Sequence, residues 1–87
     1  MSTEIFLYPD PFIHKVIVEI TIKNNDHCII SLFDEAGKII RIQGVNLSQG
    51  VNKIPLNDLH SLPAGPYYLH VNDTDGQNVY KSKLIKY

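Results

Sequence analysis

Four histidines, one cysteine and nine carboxylates are the side chains of this 87-residue chain that could do catalytic or metal chemistry. A metal centre needs two or more ligands that converge. His14, His27, His60 and His70 offer no i,i+2 or i,i+4 pair, so they read as ordinary polar residues and no metal is expected. Cys28 cannot form an internal disulfide and cannot alone build a zinc site. It alternates in phase with Ile30 and Leu32, which makes it a small buried core residue. A thiol in that setting is inert, because the reactive species is the thiolate. Asp34, Glu35, Asp73 and Asp75 fall in turn sequences, where Asp bonds its own backbone. Asn72-Asp73-Thr74-Asp75-Gly76 has part of a calcium-loop pattern, but no acidic residue completes it downstream. There is no glycine-rich phosphate loop and no nucleophile elbow. No catalytic residue and no cofactor are expected. One charged cluster remains, Lys81, Lys83 and Lys86. Its plainer reading is a sheet edge guarded by lysine; its functional reading is a basic handle for a partner.

Composition narrows the rest. Hydrophobic residues make up 44% and charged residues 20%, the balance of a globular chain, and 87 residues leave room for one core only. Residues 1–87 are therefore expected to form a single domain. The net charge is -1 and the pI near 6.4, without the basic excess of a nucleic-acid domain. Apolar runs are too short for a transmembrane helix, which needs roughly 20 residues, and no signal-peptide pattern opens the chain.

The elements that must position these residues are strands. In Lys15 to Lys23, Val16, Val18, Ile20 and Ile22 share one face, while Ile17, Glu19, Thr21 and Lys23 share the other. His27 to Phe33, Lys38 to Gln43, Val51 to Leu56, Tyr67 to Asp73, Asn78 to Lys86 and the shorter Glu4 to Tyr8 complete about seven strands. Ser2 and Thr3 precede the first as solvated residues. Pro55 puts its strand at a sheet edge, since Pro donates nothing to a ladder. Turns are expected at Asn24-Asn25-Asp26, Asp34 to Gly37, Leu47 to Gly50 and Asp73 to Gly76. Asn57 to Leu62 has the residues for a single helical turn capped by Asn57 or Asp58. Strands at this spacing predict an all-β, immunoglobulin-like β-sandwich of antiparallel strands. So closely trimmed a chain reads as a module cut from something longer, the alternative being a small natural protein.

Four stretches, in order along nearly the whole chain, resemble one family. They are Tyr8-Pro9-Asp10-Pro11-Phe12, Leu32-Phe33-Asp34-Glu35-Ala36-Gly37-Lys38, Leu59 to Leu69 with the Leu-Pro-x-Gly-x-Tyr motif in Leu62-Pro63-Ala64-Gly65-Pro66-Tyr67-Tyr68-Leu69 at its heart, and Asp75-Gly76 followed by Lys81, Lys83, Leu84, Ile85 and Lys86. Together they resemble the C-terminal sorting domain of the type IX secretion system of Bacteroidota. Three positions depart from the family pattern: Asp10 where Asn is usual, Pro66 before Tyr67, and Tyr87 after the last lysine. Pro9 and Pro11 are expected to hold the opening segment extended. Gly65 is expected at positive φ or a close backbone approach, and Tyr67 is expected to point inward with its hydroxyl bonded at the rim.

The resemblance implies a folded, non-catalytic export signal. Its partners would be the outer-membrane translocon and the surface sortase of the type IX system, with no nucleic acid. It would ride behind an N-terminal cargo domain that this chain lacks. It would pass through the periplasm to the outer-membrane surface or be secreted. Carried over by motif position, the residues of translocon recognition are Gly65, Tyr67, Gly76, Lys81, Lys83 and Lys86. The alternative is an accessory or adhesion module binding a glycan or protein, for which Tyr68 and Tyr80 are the available aromatic platform.

Overall fold

The computed structural model describes residues 3–87, so Ser2 lies outside it and Thr3 already belongs to the first strand. Alternating burial is the organising feature: in β2, Val16–Ile22, every second residue is buried. The other strands are β1 Thr3–Tyr8, β3 Asp26–Phe33, β4 Ile39–Leu47, β5 Gly50–Leu56, β6 Gly65–Asn72 and β7 Asn78–Lys86. They form two antiparallel sheets, β1-β2-β5 and β4-β3-β6-β7. This is the seven-strand sandwich expected, with β4 paired to β3. Val18 and Ile20 from one sheet meet Ile30, Leu32 and Leu69 from the other in a core whose members are all but inaccessible. Cys28 is buried there as expected, and burial, with the Asp26 carboxylate nearby, pushes its thiol pKa up. Pro55 lies on β5, which pairs with β2 alone and is an edge.

Both Asp–Gly sequences form the expected tight turns, and they form the same one. Asp34 Oδ1 accepts from the N–H groups of Ala36 and Lys38, both at 2.9 Å, and Asp73 Oδ1 accepts from Asp75 at 3.0 Å and Gln77 at 2.9 Å. Gly37 and Gly76 close them at φ of 84° and 82°, a region that costs other residues strain.

Besides the segment after β1, three stretches differ from expectation. β4 continues through Gly44 and Asn46, weak strand formers, because Ile29 and His27 of β3 pair with them. β6 begins at Gly65 and includes Pro66. Asn57 to Leu62 forms no capped helical turn: Asp58 sits at φ 60° and a single turn closes from Leu62 N to Leu59 O at 3.2 Å. Two outside contacts set this path. Arg41 Nη1 donates to Asn57 O at 2.9 Å, and the fully buried Leu59 donates its N–H to His14 O at 2.8 Å.

Phe12, outside every strand, is 0% exposed and meets Tyr67 edge-on with ring centroids 6.0 Å apart. Phe12→Ala is expected to lower unfolding free energy by about 3–5 kcal/mol, a large share of a small domain's stability. Phe6→Ala, on a side chain 55% exposed, is expected to stay within about 0.5 kcal/mol. Urea unfolding of the two variants against the parent checks the contrast.

Candidate functional site

All four family-like stretches reach one pole of the sandwich, the fourth by its last residues, Leu84 to Lys86. Strand directions bring together there the end of β1, the turn after β3, the start of β6 and the end of β7. Tyr67 is the hub. It points inward with Leu69 and Val71, is 4% exposed, and its hydroxyl donates to Pro63 O at 2.7 Å. A tyrosine near the start of this strand that bonds back to the preceding loop is a recurring corner of immunoglobulin-like folds. Burial, and secondarily the Asp34 carboxylate, raise its pKa. Beside it, Asp34, Glu35, Ile40, Leu62, Pro63 and Pro66 line an open depression of ≈ 310 Å³. Gly65 has φ 141°, so positive φ is what requires glycine there; a Cβ would meet nothing within 4 Å.

The opening segment is not extended. Both Tyr8–Pro9 and Asp10–Pro11 peptide bonds are cis, and the chain bends rather than running on as a strand. The bend docks on the outer edge of β7. Asp10 Oδ1 accepts the Ile85 N–H at 3.0 Å, Phe12 N donates to Ile85 O at 2.9 Å, and Tyr87 N donates to Phe12 O at 3.0 Å. An Asp oxygen thus serves where the resemblance expects Asn, which carries the same acceptor. The proline before Tyr67 is also accommodated. Pro66 pairs with Ile85, whose N–H and C=O both point away from β6, so position 66 has no ladder bond to β7 to lose.

The lysine cluster separates into two kinds. Lys81 and Lys83 are exposed on the outer face of β7, opposite His70 and Tyr68 of β6. Lys86 has the inward parity of Leu84, is 5% exposed, and its ammonium donates to the Tyr87 main-chain oxygen at 2.7 Å. Gly76 lies at the opposite pole, in the turn after β6. The structure therefore groups Gly65, Tyr67 and Lys86 at one end, leaves Lys81 and Lys83 along the edge, and sets Gly76 apart. Tyr68 and Tyr80 lie on opposite faces of their sheet, Tyr80 against the core, so they make no common platform. Sequence reasoning missed Phe12 and Asp10 as contact residues. The signal available was an apolar residue and an Asx acceptor inside a proline-bracketed segment.

Tyr67→Phe is expected to cost about 0.5–1.5 kcal/mol at neutral pH through the lost hydrogen bond. Because the folded pKa is raised, the parent's folded state holds this proton more tightly than its unfolded state. The parent therefore loses stability as pH rises through and above about 10, while the phenylalanine variant lacks that loss. The gap between their urea midpoints should narrow toward about pH 11.

The comparisons with known proteins agree with this architecture. A family model described as a secretion system C-terminal sorting domain matches residues 6–87. No curated protein sequence matches the chain. Among solved structures, the crystal structure of dimeric latent PorU from Porphyromonas gingivalis superposes with a TM-score of 0.74 at 17% identity, covering 97% of this chain. This chain spans 9% of that one's length, and the likeness speaks for the fold. With 6–87 matched, the chain belongs to the secretion system C-terminal sorting domain family, the sorting signals of type IX secretion.

Proposed function

We propose that residues 1–87 act as one non-catalytic sorting domain that directs an N-terminal cargo protein through the outer-membrane translocon of the type IX system. Membership of the family implies export to the cell surface or secretion, and interaction with the secretion system. In this reading the cargo reaches the periplasm first, the domain folds there and is recognised at the translocon, and a surface sortase cuts upstream of it. The observation that supports it best is the family match over residues 6–87, joined to a terminal strand whose outer edge still has room for a partner. Lys81 and Lys83 are the groups proposed to touch the translocon. Gly65, Tyr67, Gly76 and Lys86 are proposed to shape what it reads, by fixing the pole and the turn that bracket β7.

The test is an export assay. A signal peptide, a fluorescent reporter and residues 1–87 are fused in that order and expressed in a Bacteroidota host with and without a working type IX translocon. Surface reporter that depends on the translocon is the expected result; reporter retained in the periplasm of both strains overturns the reading. Lys81→Glu with Lys83→Glu is expected to cut surface reporter at least tenfold, by charge reversal on two exposed side chains. Its unfolding free energy, from urea titration, should stay within about 0.5 kcal/mol of the parent's, because surface substitutions of this kind rarely do more.

A further inference from the structure

The outer edge of β7 is closed over one half, and the closed half fixes what the open half presents. Ile85 directs both its N–H and its C=O away from β6, to Asp10 Oδ1 and Phe12 N. Alternate residues of a strand present their backbone groups to the same edge. Lys83 and Lys81, two and four positions earlier, therefore present theirs to that same outer edge, where β7 has no neighbouring strand. Among the described residues the hydrogen bond there is a long one, from Ser82 Oγ to Lys83 O at 3.5 Å. Both lysine side chains rise from the same outer face and are exposed. Among the described residues neither ammonium is ion-paired. A row of free backbone groups is a template for another strand, and here it carries two cations at alternate positions.

We infer that an extended acidic peptide segment adds to β7 beside Lys81 and Lys83, with carboxylates at two alternate positions facing the two ammonium groups. Cross-strand neighbours of opposite charge stabilise such pairing and like charges oppose it. The same rule disfavours a second copy of this edge as the occupant, since lysine would meet lysine. The Asp10–Phe12 strap fixes the register. It occupies the edge at Ile85 and Tyr87, and the Asp10 carboxylate there repels an acidic residue placed beyond Lys83. The added strand ends at Lys83. This inference rests on β7 being the recognised part of the sorting signal, and it names the chemistry recognised.

The probe is a capped heptapeptide, Thr-Val-Glu-Val-Glu-Val-Thr, titrated into the 87-residue chain and followed by backbone amide NMR shifts, with a Lys-for-Glu peptide as control. Expected are saturable shifts confined to β7 and its edge, at least tenfold tighter for the Glu peptide and weakened by salt. Lys81→Glu with Lys83→Glu should reverse the preference. Equal binding of both peptides, no shift at millimolar peptide, or shifts centred elsewhere overturns the inference and leaves the lysines as edge guards alone. Asp10→Ala frees the Ile85 N–H, and the perturbed stretch should then extend to Ile85; an unchanged stretch overturns the strap as end-stop. A chain that is exported yet binds neither peptide selectively loses strand addition and keeps its sorting role. A chain that binds the Glu peptide and is not exported keeps the surface and loses the sorting role.

Discussion

The hydrogen bonding of Ile85 is the constraint on which the pole depends. Its N–H and C=O face away from the sheet, beside a buried ring that must exclude water, and in such a place unsatisfied backbone groups are costly. Asp10 and Phe12 satisfy both, and in doing so carry the Phe12 ring into the core against Tyr67. One local demand thereby ties the β1–β2 connection of the first sheet to the last strand of the second. The corner formed by Tyr67 and Pro63, the inward turn of Lys86 and the position of Leu59 beneath His14 all build on that junction.

Much of the sandwich was legible because alternation is a local signal. A strand with one buried face writes its period into consecutive residues, as Val16, Val18, Ile20 and Ile22 do. The Asp–Gly turns were legible for a similar reason, each being closed by an aspartate within four positions. What stayed hidden was long-range. Asp10 and Ile85 are 75 positions apart, and nothing within either neighbourhood announces the other. The same holds for the extra length of β4, which Gly44 and Asn46 would not adopt without β3 beside them. Lys86 shows how composition misleads: three lysines in six residues look like one patch, yet strand parity turns one of them inward.

The division of the family-like residues between two poles and an edge bears on how such a signal is read. Gly65, Tyr67 and Lys86 cannot be touched as one surface with Gly76, because the length of β6 and β7 separates them. Their common effect is architectural. They hold β7 between a fixed pole and a fixed turn, so that its outward side keeps one register and one length.

The 75-residue separation closed by the strap also has a kinetic side. The β3–β4 and β6–β7 hairpins join neighbours in sequence and can form early, whereas joining distant segments costs chain entropy that grows with the logarithm of their separation. In a chain delivered amino end first, Asp10 and Phe12 arrive with the first residues and their partners with the last. The pole can be completed only once Ile85 and Tyr87 have followed, so a finished pole records that segments 75 positions apart are both in place.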